Sequence, residues 1–118
     1  MKLTAFSDNE ILDTVKSLAE HTEDSWNKKD FQGFCRFFLS ATPEQTFPES
    51  EFNRQINENY DTFGKHTISD FVAIHRNPDN VIVIWKVNFE SRKEPGLLMY
   101  EFREHDGEIL IGGCSYHA

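Results

Sequence analysis

Cysteine and long apolar runs are scarce in this 118-residue chain, and each shortage excludes a class of protein. The two cysteines, Cys35 and Cys114, cannot build a disulfide framework and lack metal-like spacing, so we interpret them as reduced thiols in a cytoplasmic protein. The longest apolar run, Val81 to Trp85, is too short to cross a bilayer. The N-terminal segment also lacks the apolar stretch of a signal peptide.

Basic residues are also in short supply, because 12 lysines and arginines face 20 acidic residues, for a net charge of −8. Phosphate groups and anionic membrane surfaces both attract clustered basic side chains, so we expect neither nucleic acid nor membranes as partners. The histidines show no metal-binding spacing and no phosphate-cradling glycine loop occurs, so we expect no metal and no cofactor. His21, His66 and His105 are expected at solvated positions.

Phenylalanine, by contrast, is abundant, with 11 residues against two tryptophans and three tyrosines. Such an excess of rigid apolar rings predicts either a deep core or the wall of a cavity. The length fits a single domain over residues 1–118.

The first half of the chain has the apolar period of helices. Ser7 and Glu10 form a capping box, which predicts the start of a helix at this point. Apolar residues then recur at intervals of three or four up to Trp26, so the helix should end near Asn27. Glu23 is assigned to its polar face.

Two more helices are predicted before the middle of the chain. Asp30 can cap a short second helix, in which Phe31, Phe34, Cys35 and Phe38 follow at helical spacing. Segment 42–45 is predicted as a capped turn or loop. A third helix is expected to open at Pro48 and to stop at Gly64.

The second half of the chain is rich in valine, isoleucine, phenylalanine and tyrosine, which favours strands. The predicted strands are Ile68–His75, Val81–Glu90, Leu97–Glu104 and Glu108–His117, with segments 77–80, 92–96 and 106–107 between them. The last separator, Asp106-Gly107, fits a two-residue type I′ hairpin. The pattern predicts an α+β fold, in which three N-terminal helices pack on one face of a curved four-stranded antiparallel sheet.

The hairpin turn also predicts which side chains share a face of the sheet. It pairs Tyr100 with Gly113 and Leu98 with Ser115. The face away from the helices then carries an apolar set, namely Ile82, Ile84, Leu97, Met99, Leu110 and Tyr116. Monomers rarely expose so much apolar surface, so we expect a homodimer through this face. There are two alternatives. The chain is a monomer with scattered apolar surface, or it is a module that binds another protein through this face.

Several local features resemble one known family. They are the helix junction Trp26-Asn27-Lys28-Lys29-Asp30-Phe31 with Phe34 and Phe37, the stop at Gly64, and a strand meander that closes on Asp106-Gly107-Glu108 and Gly112-Gly113-Cys114-Ser115. Together they resemble the nuclear-transport-factor-2-like superfamily, which includes ketosteroid isomerases and polyketide cyclases. The resemblance covers nearly the whole chain. It implies a cone-shaped, cystatin-like fold, a pocket for a small apolar ligand, and dimers through the sheet.

Function is predicted from this resemblance and from the aromatic residues. The main expectation is a dimeric pocket domain that binds a small molecule or has no catalytic role. The candidate ligand-binding residues are Trp26, Tyr60, Trp85, Tyr100 and His117. The four aromatic residues combine an apolar body with a polar tip, whereas His117 is placed at the pocket mouth. The same aromatic rings could instead simply fill the core.

An isomerase-like or cyclase-like enzyme is the alternative function. Asp70 would act as the base, with Tyr60 or Tyr100 as the hydrogen-bond donor. Asp70 points towards the pocket only if Arg76 pairs with Val81 and the strand then runs without a slip. The first helix lacks the tyrosine that isomerases of this family carry there, which argues against this alternative.

Overall fold

The structure is a computed structural model that describes residues 3–39 and 48–118. A 3₁₀ turn at Leu3–Ala5 is followed by three helices, α1 (Asp8–Asn27), α2 (Phe31–Phe34) and α3 (Glu49–Phe63). The predicted turn at 42–45 lies outside the described residues. None of the described helices is both long and apolar enough to span a membrane.

Helix α1 begins and ends where local sequence signals placed its ends. The Glu10 amide donates to Ser7 Oγ at 3.2 Å, and the Ser7 amide donates to Glu10 Oε1 at 3.0 Å. This confirms the predicted capping box. Helix α3 ends at Gly64, whose φ of 72° is the left-handed conformation that favours glycine.

Helix α2 is only one turn long, although the apolar spacing predicted more. Asp30 caps it by accepting a hydrogen bond from the Gly33 amide at 3.1 Å. The following residues leave the helix because their backbone pairs with the last strand instead. The Leu39 amide donates to the Ile111 carbonyl, and the Ile111 amide donates to the Phe37 carbonyl, both at 2.7 Å.

The four strands form one antiparallel sheet in the order in which they occur along the chain. They are β1 (His66–Arg76), β2 (Val81–Phe89), β3 (Arg92–His105) and β4 (Glu108–His117). Three helices packed with a curved antiparallel sheet confirm the predicted α+β fold. Segment 92–96 is not a separator, however, because Phe89 pairs with Arg92 and the segment belongs to β3. The register of the ladder between β2 and β3 shifts at this segment. The shift accommodates Pro95, which has no N–H to donate to the ladder.

The helix-facing side of the sheet forms the core. Alternate residues of β2, from Val81 to Phe89, are buried, and the residues between them are half-buried or exposed. The buried row packs with Ile11 and Val15 of α1 in one apolar cluster, in which Trp85 is the largest fully buried side chain. The prediction that this richer face lies under the helices is confirmed.

The register of the last hairpin is correct near the turn and wrong beyond it. Asp106 and Gly107 both have positive φ, and Phe102 pairs with Ile111 as predicted. The ladder then shifts between Glu101 and Phe102, and Gly112 is the extra residue. As a result, β3 and β4 pair Tyr100 with Cys114 and Leu98 with Tyr116, instead of with Gly113 and Ser115.

This shift removes Tyr116 from the predicted outer face. Its ring lies on the helix side, at 6.1 Å from the Phe63 ring and 5.1 Å from the His66 ring. The outer apolar face, as the structure has it, consists of Ile82, Ile84, Leu97, Met99 and Leu110. We use the name outer apolar face for these five residues. Leu97 is 41% exposed and the other four are half-buried.

Candidate functional site

A cavity of about 380 Å³ opens between the helices and the strands β3 and β4. Its apolar lining is Trp26, Phe34, Phe63, Leu98 and Tyr116, and its polar lining is Glu23, Arg54, Gln55, Asn59, His66, Cys114 and Ser115. Helix α3 contributes Arg54, Gln55 and Asn59, none of which is buried. The deeper part therefore combines aromatic walls with a small number of polar groups.

Three polar side chains form a buried cluster at this cavity. Glu23 lies on α1, His66 opens β1 and Tyr100 lies in the middle of β3. The Nδ1 atom of His66 is 2.7 Å from Glu23 Oε1, and the Tyr100 hydroxyl donates to Glu23 Oε2 at 2.5 Å. Glu23 is 6% exposed and His66 is 4% exposed. We call Glu23, His66 and Tyr100 the buried cluster.

The helix junction holds His66 in place. The side chain of Asn27 donates to the His66 carbonyl and accepts from the His66 amide, both at 2.7 Å. The indole of Trp26 stacks on the imidazole, with ring centroids 4.2 Å apart and an angle of 18° between the planes. Adjacent residues of the Trp26-Asn27 junction thus fix both the backbone and the ring of His66.

Burial controls the proton chemistry around the cluster. It raises the pKa of the Tyr100 hydroxyl well above its usual value, and the nearby Glu23 carboxylate adds to this effect. Burial also raises the pKa of the Cys114 thiol, again reinforced by Glu23. At neutral pH, Tyr100 is therefore a hydrogen-bond donor, and Cys114 is a protonated thiol rather than a nucleophile.

The structure places the five candidate ligand-binding residues in different environments. Trp26 lines the cavity, whereas the Tyr100 hydroxyl is occupied by Glu23. Tyr60 stacks on Trp26 and donates its hydroxyl to the Asn27 carbonyl at 2.7 Å. Trp85 borders a different groove of about 430 Å³ between α1 and β1. His117 is exposed and pairs with Leu97, away from the cavity lining.

Asp70, the weak candidate for a catalytic base, is exposed. The predicted pairing of Arg76 with Val81 is present, but β1 shifts register twice between Ile68 and Ala73. These irregularities place Phe71 opposite Trp85. Asp70 therefore faces water and not the buried cavity in which a substrate would have to meet a general base.

The sequence predicts solvated positions for Glu23 and His66, and both predictions are wrong because both side chains are buried. Glu23 lies four residues after Ala19 and three before Trp26, so helical spacing places it on the buried stripe. His66 lies two residues before Ile68, on the same side of β1. His21 is also half-buried, with Nε2 at 3.1 Å from the Gly33 carbonyl oxygen. The exposed position of His105 is confirmed.

A metal site is not evident in the described parts of the chain, where no three His, Cys, Asp or Glu side chains are grouped so as to hold an ion.

Comparison with known proteins identifies the fold. No protein-family model and no curated protein matches the chain. Among solved structures, an NTF-2 like protein of unknown function from Shewanella oneidensis MR-1 is similar, with a TM-score of 0.61 and 14% identity over 88% of this chain and 96% of that one. A chain named Rd1NTF2_05 is similar at the same TM-score and identity, over 89% and 97%.

These similarities extend over nearly the whole length of each chain. The chain therefore has the nuclear-transport-factor-2-like fold that its helix junction and strand meander predicted.

Proposed function

We propose that this chain is a pocket domain that binds a small molecule in the cavity beneath its helices. The observation that carries the proposal is a cavity of about 380 Å³ that is lined by four aromatic side chains and by two members of the buried cluster, Glu23 and His66. Small-molecule sites are typically clefts of roughly 300–1,000 Å³, mostly apolar, with a few polar groups that orient the ligand. A close-packed core without a cavity would be more stable at this size.

The first test is native mass spectrometry of freshly purified protein. We expect a mass increment that corresponds to a co-purified small molecule and that is lost on denaturation. The neutral fluorescent probe N-phenyl-1-naphthylamine should then compete for the same cavity.

A pair of variants on α3 makes this test specific. Asn59→Trp places a large ring in the cavity lining and should weaken probe binding about tenfold or more. Asn57→Trp, on an exposed position of the same helix, should leave binding unchanged. Equal binding by both variants would contradict the proposed site.

We also propose that the outer apolar face joins two copies of the chain. Cross-strand pairs place Ile84 beside Met99 and Ile82 beside Glu101. Glu101 forms an ion pair with Arg103, which is the cross-strand partner of Leu110. An apolar face with satisfied charges at its side is suited to a self-complementary contact. Dimers through the sheet are also what the fold leads one to expect.

Light scattering tests the dimer directly. The wild-type chain should have twice the mass of one subunit at micromolar concentration, and Ile84→Arg should reduce it to one, because it places unpaired charges at the centre of the contact. Asn57→Arg, which adds the same charge on α3, should remain dimeric. A single-subunit mass for the wild-type chain would contradict the dimer and would leave this face free for a different protein.

A cytoplasmic location belongs to the same proposal. It rests on the interpretation of Cys35 and Cys114 as reduced thiols, and the structure has no disulfide between these two residues.

A further inference from the structure

We propose that the pocket selects an uncharged, largely apolar ligand that carries a hydroxyl group, and that this hydroxyl forms a hydrogen bond with Nε2 of His66. The inference rests on the proposed function and adds the ligand class. Within residues 3–39 and 48–118, Nε2 of His66 is the one buried side-chain nitrogen or oxygen atom that has no hydrogen-bond partner. Buried polar atoms are nearly always paired, so this exception needs an explanation.

The buried cluster determines what Nε2 can bind. Glu23 Oε2 accepts from the Tyr100 hydroxyl, and Glu23 Oε1 lies 2.7 Å from His66 Nδ1. A carboxylate can only accept, so Nδ1 carries the proton of this contact. Nε2 then carries a lone pair if the imidazole is neutral, or an N–H group if the imidazole is protonated.

A hydroxyl group fits both protonation states of His66. It donates to the lone pair of the neutral ring, and it accepts from the N–H of the charged ring. A ketone or an ether can only accept, so it has no hydrogen bond to offer the neutral ring. Hydroxyl compounds are therefore the ligand class that this atom recognises most generally.

The charges around the cavity argue for an uncharged ligand. Both oxygens of Glu23 are already occupied within the buried cluster. Arg54, the arginine of the lining, is engaged by Glu51 and Glu58 at the surface. A charged ligand group would lose its hydration without gaining a free counter-ion, which is unfavourable.

Access to Nε2 requires a side chain to move. Trp26 covers one face of the imidazole, and the rings of Phe89 and Tyr116 meet it edge to face, each at 5.1 Å. Of these three, Tyr116 is the half-buried one and it lines the cavity, so we expect its ring to be the one that rotates to admit a ligand. A ring face is at best a weak partner for an N–H, so a ligand hydroxyl is the stronger one.

The test compares two probes that share one ring system and differ in a single O-methyl group, which removes the ability to donate. We expect 2-naphthol to bind the wild-type protein about tenfold more tightly than 2-methoxynaphthalene, since an unmet hydrogen bond at a buried atom costs a factor of that order. In protein labelled with ¹⁵N, saturating 2-naphthol should shift the Nε2 resonance of His66, whereas the ether has no hydrogen bond to offer the neutral ring and should leave the resonance of that form in place. The anion 2-naphthoate should bind more weakly than 2-naphthol.

The outcomes separate this inference from the proposed function. Equal affinity for the naphthol and its ether, or an unmoved Nε2 resonance, would overturn the hydroxyl preference and leave the pocket intact. Failure of both compounds to bind would overturn the pocket and this inference together. His66→Gln should abolish the difference between the probes, while His105→Gln, at an exposed position, should preserve it. Should His66→Gln not fold, the wild-type resonance still decides.

Discussion

Two clusters of polar and charged side chains each contribute to the lining of the cavity, and they differ in burial and in the elements that hold them. The buried cluster of Glu23, His66 and Tyr100 is held by partners from three different elements. The surface cluster, which we define as Glu51, Arg54 and Glu58, lies on one helix, and the Arg54 side chain is 51% exposed. Its hydrogen bond and ion pair with Glu51 raise the pKa of the Arg54 guanidinium further above its usual range.

The difference teaches that contact distance does not measure energetic importance. Both clusters make short contacts, yet water can replace any partner in the surface cluster. In the buried cluster, removal of one member leaves a desolvated group without compensation. Mutations should therefore have large effects in the first cluster and small effects in the second.

The largest effect is expected for His66→Phe. The new ring can still stack on Trp26, but Glu23 Oε1 loses its partner in a buried site. Breaking one side of such a pair costs about 3–5 kcal/mol of the free energy of unfolding. Urea denaturation at pH 7 measures this loss. The double variant Glu23→Gln/His66→Phe should recover part of it, and a loss below about 1 kcal/mol in the single variant would mean that the pair is not effectively buried.

Two tyrosine hydroxyls give the next comparison. Tyr100→Phe removes a hydrogen bond to a buried carboxylate and should cost about 1.5–3 kcal/mol. Tyr60→Phe removes a hydrogen bond to the Asn27 carbonyl in a half-buried position and should cost about 1 kcal/mol. Both are measured by the same denaturation experiment. The reverse order would contradict the importance assigned to the buried cluster.

The pH dependence of stability tests the environment of Cys114. Its folded pKa is raised, so its contribution is fully present below the unfolded pKa of roughly 8.5 and is lost as pH rises above that value. The loss should reach about 1.4 kcal/mol one pH unit higher. Cys114→Ala should reduce this slope when unfolding free energies are compared from pH 7 to 9.5. If the unfolding free energies of the wild-type protein and of Cys114→Ala depend on pH in the same way, the Cys114 thiol titrates alike in the folded and unfolded states.

The smallest effect is expected in the surface cluster. Arg54→Gln removes both ion pairs, but the groups remain in water, so the urea midpoint should not move measurably. Glu58→Gln is the matched variant and should behave in the same way. A shift as large as that of Tyr100→Phe would show that the two clusters do not differ as proposed.

Local features of the fold could be predicted because their causes lie within a few residues. The Ser7–Glu10 capping box, the stop at Gly64 and the Asp106-Gly107 turn each depend on neighbours in sequence, and all three are present. The alternation in β2 also predicted the buried row correctly, since one face of a sheet under helices must be apolar.

The buried cluster could not be predicted because its contacts span long stretches of chain. Glu23 is 43 residues from His66 and 77 residues from Tyr100. Charged and polar residue types are usually exposed, so the composition rule favoured solvent for Glu23 and His66. The spacing of these two residues relative to Ala19, Trp26 and Ile68 indicated buried positions. Spacing alone does not show which side chains pair with them.

The extra residue at Gly112 has a consequence for how this chain can evolve. Every position of β4 beyond it owes its orientation to that one residue, while the turn before it is unaffected. Loss of a single codon there would exchange the side chains that the end of the strand presents to the cavity, with the order of strands intact. A change in length, rather than a point substitution, would thus be enough to give this architecture a differently lined cavity.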